Sequence, residues 1–308
     1  MKIGINGTGL VRTSSVPRIQ EDATAAQDDG FSSYWLAEHP VGGLDALTTL
    51  AAVGPVAPEL ELGTAIVPTW PRHPMALAGQ ALTAHQQMKH RLVLGIGLSH
   101  RVMLEQLGLE MTKPIRHLRE FLEILMPLLE EGAVDFRGEM LRCSAELFQK
   151  PDTPPQVVVA ALGPQALRVA GRLAGGTILA WVGPKTIREH IVPTITAAAA
   201  EAGRDESPRI VATLPVTVTD DPDAAREFGA QIFSMYGELP SYRAMLDREG
   251  VKGPSDLQIA GSEDAVLEAL EGLRAAGVTD FAASEFGRGE DLARTRELLR
   301  RVAKESEA

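Results

Sequence analysis

Short apolar runs alternate along this chain with longer stretches in which apolar positions return every three to four residues. Runs of four to eight apolar residues mark strands covered on both faces, and the 3.6-residue period marks helices that bury one side. Strands are predicted at Lys2–Asn6, SSYWLAEH (32–39), LELGTAIVP (60–68), RLVLGIG (91–97), PQVVVAAL (155–162), GTILAW (176–181), RIVATLPVTVT (209–219) and GVTDFAAS (277–284). Helical periods fill about 17–30, 42–55, 74–89, 114–132, 164–175, 184–203, much of the stretch to 248, and 290–305. Proline stands in the first turn of several of these, where its missing N–H is not needed, and Pro127 is expected to bend the fourth helix. Residues 133–156 follow neither period, and DFRGEMLRC (135–143) within them reads as a hairpin.

Eight such strand–helix units in 308 residues predict an α/β fold, a (β/α)8 or TIM barrel, as one domain over 1–308 with insertions after strands four and seven. Two doubly wound halves would need a linker, and no Pro/Gly/Ser-rich stretch divides the chain. A barrel confines chemistry to the C-terminal ends of its strands.

The opening MKIGINGTGLVR offers a rival, a nicotinamide-binding turn. Gly7 and Gly9 supply two of its three glycines, and Glu38 ends strand two where a ribose-binding acid would stand. Arg12 takes the third glycine's place, however, and Pro17 starts the helix late. The dinucleotide reading is therefore the weaker one.

Composition narrows the classes. A net charge of −11 without a Lys/Arg cluster argues against a nucleic-acid partner, and the absence of a long apolar run argues against a membrane span. One cysteine, Cys143, gives no internal disulfide framework and, with no secretory pattern at the start, fits a cytoplasmic protein. The seven histidines show no zinc spacing, so no metal is expected. GxSxG and GxxxxGK[ST] motifs are absent.

The strand ends carry the candidate chemistry. Glu38-His39 closes strand two, and an imidazole there either handles a proton or simply pairs with Glu38. Gly63-Thr64-Ala65 in strand three allows close approach of a ligand, or narrow packing. Ala160-Ala161-Leu162-Gly163-Pro164-Gln165 runs into a helix N-terminus, which is either an anion site or an ordinary turn.

In register, YWLAEHP, LELGTAIVPTWPRHPMALA, RLVLGIGLSH and VVVAALGPQALRVAGRLAGG resemble the bacterial luciferase-like superfamily, and within it the oxidoreductases that use the deazaflavin coenzyme F420. The resemblance runs from Met1 to about residue 300 and implies a barrel of the luciferase-like type. It implies hydride transfer between the cofactor ring and a small organic substrate, with His39 handling the proton and Glu38 orienting it or lining the pocket. Gly63, Thr64, Ala65 and Ile66 would back the ring, with a non-prolyl cis peptide at Thr64–Ala65 or Ala65–Ile66. Gly97, Leu98 and Ser99 would lie near the ring, and His100 would act as a second acid/base or touch the cofactor's side chain. Ala160, Ala161, Leu162, Gly163, Pro164 and Gln165 would receive the phosphate, and Arg12, Arg72 and Arg101 are candidates to meet the acidic tail. Trp181 either lines the pocket or sits at its rim. Where sugar-phosphate dehydrogenases of the group carry an acid after strand four, this chain has Ser99-His100-Arg101, which argues against that substrate. The resemblance leaves open FMN as the cofactor of a monooxygenase, a non-catalytic flavin-binding protein, and a homodimer.

Overall fold

In the computed structural model, which describes residues 1–307, the chain runs in the following order. First come β1 (Lys2–Asn6), α1 (Thr8–Thr13), α2 (Val16–Asp28), β2 (Ser33–Leu36), α3 (Ala46–Val53), β3 (Glu61–Thr64), β4 (Val67–Pro68), α4 (Pro74–Gln87) and β5 (Leu92–Gly97). Then follow α5 (Arg101–Gln106), α6 (Pro114–Glu130), β6 (Ala133–Arg137), β7 (Arg142–Glu146), β8 (Gln156–Val159), α7 (Pro164–Leu173) and β9 (Gly176–Ala180). The rest comprises α8 (Pro184–Thr186), a π-turn (Ile187–Ile191), α9 (Val192–Glu201), β10 (Arg209–Thr213), β11 (Pro215–Val218), α10 (Pro222–Glu238) and α11 (Pro240–Glu249). It ends with a 3-10 turn (Pro254–Leu257), β12 (Ile259–Gly261), α12 (Glu263–Ala275), β13 (Asp280–Glu285) and α13 (Gly289–Glu307).

Eight parallel strands close a barrel in the order β1-β2-β3-β5-β8-β9-β10-β13, with β13 pairing back to β1. These are the eight predicted strands. The predicted strand seven is two: the chain breaks between Thr213 and Pro215, and β11 leaves the barrel to pair with β12 and the end of β13. Gly7 caps the six-residue α1, where the sequence pattern predicted loop. That turn is held by Asn6, whose side chain accepts from the Thr8 N–H at 3.0 Å. Helix α6 continues through Pro127.

The insertion after the fourth barrel strand contains an antiparallel hairpin, β6–β7, pairing Phe136 with Cys143. Its turn is built on Glu120 of α6, which accepts from the N–H groups of Glu139, Met140 and Leu141 at 3.1, 2.8 and 2.9 Å. Burial alone would raise the Glu120 pKa, but these backbone donors hold it below the ordinary value. Cys143 sits in this hairpin, and burial pushes its thiol pKa up, which disfavours the thiolate. Among the described residues no helix is long and apolar enough to cross a membrane.

Side chains alternate along each strand, so the wall has an outer core against the helices and an inner one. The inner core is Trp35, Val93, Val158, Ile178, Val211 and Ala282, one residue from each of six strands. It divides the barrel into an N-terminal bottom and a C-terminal mouth.

Candidate active site

The mouth is floored by small residues. Ala65, Ile66 and Ala160 pack on the inner core and remain partly exposed. By strand alternation Asn6, Ala37, Ala180, Thr213 and Ser284 face inward at the same level, and all are half-buried. Asn6 Nδ2 donates to Thr213 Oγ1 at 2.9 Å, bridging the first and seventh barrel strands. A Cβ on Gly97 would lie 3.0 Å from Ala160 Cβ and 3.1 Å from Ile66 Cγ1, so this glycine keeps the floor low. The Ala65–Ile66 peptide is cis, at one of the two expected bonds. Alanine, serine and glycine make up most of this floor.

Two of the residues expected to back a ring lie a layer too deep. A Cβ on Gly63 would be 2.2 Å from the Trp35 ring, so Gly63 is roofed by that indole. Thr64 is fully buried, and its hydroxyl both donates to the Gly95 carbonyl at 2.7 Å and accepts from the Gly95 N–H at 2.8 Å. Thr64 therefore joins two strands, and only Ala65 and Ile66 of this group reach the mouth.

His39 stands above the floor on the loop after β2. Its Nε2 is buried and has no hydrogen-bond partner among the described residues. Burial, then the charge of Arg12, lowers its pKa, so the imidazole is neutral at neutral pH and available as a base. Glu38 does not pair with it. Its carboxylate takes both prongs of Arg72 at 2.5 and 3.0 Å, and the same guanidinium reaches Asp45 at 2.7 Å. Asp45 in turn caps α3 through the Thr48 N–H at 2.7 Å. Burial keeps the Glu38 pKa above the ordinary value despite Arg72. Glu38 is thus a positioning residue that ties the His39 loop to the loop after β4, and Arg72 is committed to this brace. Trp70 on the latter loop stacks on His117 at 3.9 Å, and His117 Nε2 meets Thr69 Oγ1 at 3.1 Å.

The loops after β5 and β9 each turn through a left-handed residue, Ser99 at φ 62° and Trp181 at φ 58°. Sparsely populated backbone held in place at two strand ends is typical of sites. His100 follows Ser99, and its pKa is lowered by burial and then by the neighbouring His39. Its ring lies 5.5 Å from Tyr242, Tyr242 lies 5.7 Å from Tyr236, and Tyr236 lies 5.4 Å from Trp181. Phe233 and Phe286 continue this aromatic wall at 4.7 and 5.0 Å. Trp181 is therefore part of the wall. Tyr236 and Phe233 were not singled out from the sequence. Their signal was an aromatic spacing on a helix that otherwise buries almost nothing.

Among the six residues after the fifth barrel strand, Ala160 lies in the floor and Ala161 is buried among apolar neighbours. The Leu162 carbonyl is engaged by His190 at 2.8 Å. Gly163, Pro164 and Gln165 are exposed, and no side chain caps α7, so its first N–H groups point outward and favour an anion. Arg101 reaches the Met111 carbonyl at 3.4 Å, and Arg12 is exposed beside His39.

A barrel with its open, small-floored mouth at the strand C-termini defines an enzyme of the TIM-barrel class. The family model for luciferase-like monooxygenases matches residues 3–280, and the chain belongs to that family. It is 29% identical over 250 residues to the 5,10-methylenetetrahydromethanopterin reductase of Archaeoglobus fulgidus, covering 80% of this chain and 71% of that one. It is 28% identical over 257 residues to the F420-dependent glucose-6-phosphate dehydrogenase of Nakamurella multipartita, covering 78% and 74%. In fold it matches the coenzyme F420-dependent tetrahydromethanopterin reductase of Methanopyrus kandleri with a TM-score of 0.83 at 22% identity over 99% of both chains.

Proposed function

We propose that this chain is a coenzyme F420-dependent oxidoreductase acting on a small organic substrate, with the ring on the Ala65–Ile66–Gly97–Ala160 floor and the phosphate at the start of α7. The F420-dependent relatives support the cofactor. The observation that carries the site is the buried, unpartnered His39 Nε2 beside a floor of small side chains. An orphaned buried nitrogen has a cost that a bound partner removes.

Bound there, the deazaflavin supplies hydride chemistry at its ring carbon. The protein's residues do the rest. His39, neutral at rest, accepts the proton that leaves the substrate at Nε2, or returns it in the reverse direction. The Glu38–Arg72–Asp45 brace fixes the loop that carries it. The wall of Trp181, Tyr236 and Tyr242 excludes water from the substrate side, and His100 stands where a second proton-handling group would be.

The test is a fluorescence titration of the purified protein with F420 and, separately, FMN. Saturable F420 binding with weak FMN binding supports the reading. Preference for FMN assigns the chain to flavin-dependent oxygenation, and binding of neither overturns the site.

A further inference from the structure

The β6–β7 hairpin is a two-stranded sheet of its own, so each strand has one edge with no strand beside it. The Gly138 N–H donates to the Leu141 carbonyl at 2.9 Å and the Leu147 N–H to the Gly132 carbonyl at 2.7 Å, which fixes the phase of the ladder. Leu141, Cys143, Ala145 and Leu147 therefore turn their main-chain groups toward β6, and Arg142, Ser144 and Glu146 turn theirs outward. The Arg142 carbonyl meets His73 Nε2 at 3.3 Å. Nothing among the described residues bonds the outward groups of Ser144 and Glu146. An open edge of this kind is a template for another strand.

The side chains divide in the same way. Leu141, Cys143, Ala145 and Leu147 pack on the core, whereas Arg142, Ser144 and Glu146 are exposed. Neither of these two charges has an ion-pair partner among the described residues, since the ion pairs nearby use Lys113, Arg116 and Glu139. Phe148, just past the strand, is wholly exposed.

From Met140 to Phe148 this face runs apolar, cation, hydroxyl, anion, apolar. Reversed about Ser144, the order is the same with the charges exchanged. A second copy laid antiparallel, Ser144 opposite Ser144, thus sets Arg142 of each copy against Glu146 of the other and brings Met140 to Phe148. The outward N–H and C=O groups of β7 stand in the phase that this ladder needs. Moving the two-fold axis to Cys143 or Ala145 places Arg142 or Glu146 against Ser144 and loses the charge pairs. On β6 the equivalent pairing about its central residue sets Asp135 against Asp135, which repel.

We infer that β7 is an edge by which two copies of this chain join, antiparallel and symmetric about Ser144. The pairing stands apart from the cofactor site and does not depend on it.

Sedimentation velocity over a range of protein concentrations reads the association. Arg142→Glu and Glu146→Arg should each weaken it by about 10-fold, because each sets like charges together on both sides of the axis. Both changes in one chain should restore it, which also shows that neither has unfolded the hairpin. In a Cys143→Ala background, Ser144→Cys should form a disulfide-linked pair under mild oxidation, since facing Cα atoms stand about 5.5 Å apart in such a ladder, within the span of a disulfide. Asp135→Cys, on the β6 edge, should stay mostly unlinked. The inference is overturned if the unaltered protein shows no association, or if the single charge changes leave association as it was. It is equally overturned if the double change fails to restore association, or if the two cysteine variants cross-link to the same extent.

Discussion

Two polar groups at opposite ends of the barrel are handled in opposite ways. At the bottom, Arg209 is almost enclosed, yet every prong is used: it bonds Asp280 at 2.9 and 2.6 Å, Glu61 twice, and Gln156 at 3.0 Å. Burial opposes its charge, but the two carboxylates more than offset this and its pKa is raised. At the mouth, His39 Nε2 has no partner and half of the inward side chains named above are alanine. Satisfied charge around Arg209 holds the strands together, whereas the unpaired nitrogen of His39 lies at the strand C-termini, where a barrel takes its ligand.

The largest expected effect breaks the mouth side of this contrast. His39→Ala should lower turnover by about 10²- to 10⁴-fold, the usual contribution of a positioned proton-handling group. Cofactor affinity should stay within a few-fold, and thermal stability should hardly move. Unchanged steady-state turnover would remove His39 from the reaction.

The bottom is broken by Arg209→Met, which leaves Asp280 and Glu61 facing each other without a cation. Removing one partner of a buried network costs about 3–5 kcal/mol. Urea unfolding should show that loss, while kcat measured well below the new Tm stays near its original value. A large loss of kcat with stability intact would mean that the two ends are not separate in function.

Arg72 sharpens the comparison, because it is another buried fork between two carboxylates, placed at the mouth. Arg72→Met should act mainly on geometry, lowering kcat about 10-fold through a misplaced His39. Arg72→Lys should recover part of it, since a single ammonium replaces only one prong. Equal losses in both variants, or a loss seen in stability alone, would make Arg72 a structural residue like Arg209.

Sequence and structure agree most closely where a residue's role follows from its place in a repeating pattern. The eight apolar runs are the eight barrel strands, because strands buried on both faces have no other way to be written. His39 and Ala160 could be placed at the mouth for the same reason. Glu38 could not be separated from His39 by reading, since its partner Arg72 lies 34 residues away and only the folded loops bring them together. Gly63 and Thr64 stand one step before the floor, and strand periodicity alone does not give the depth at which a mouth opens. The aromatic wall was opaque for a further reason: Tyr236 and Tyr242 meet Trp181 and His100 only through the insertion after the seventh strand.

Acid separates the chemistry of the mouth from its support. His117, 4% exposed beneath the Thr69–Trp70 loop, has its pKa lowered to about 4 by burial, and Glu120 only partly opposes this. In the unfolded chain the same imidazole titrates near 6.5. Between these values the unfolded state binds the proton and the folded state does not, so the contribution to stability is complete above pH 6.5 and is lost as pH falls toward 4. That amounts to about 2 kcal/mol between pH 7 and pH 5. Denaturation curves across this range should show it, and His117→Phe, which keeps a ring under Trp70, should flatten the slope by about that amount. His39 also has a lowered pKa, so the acid limb of kcat/KM should lie below pH 6.5 in both proteins. If His117→Phe moves that limb as well as the stability slope, acid inactivation begins with loosening of the mouth and not with protonation of His39.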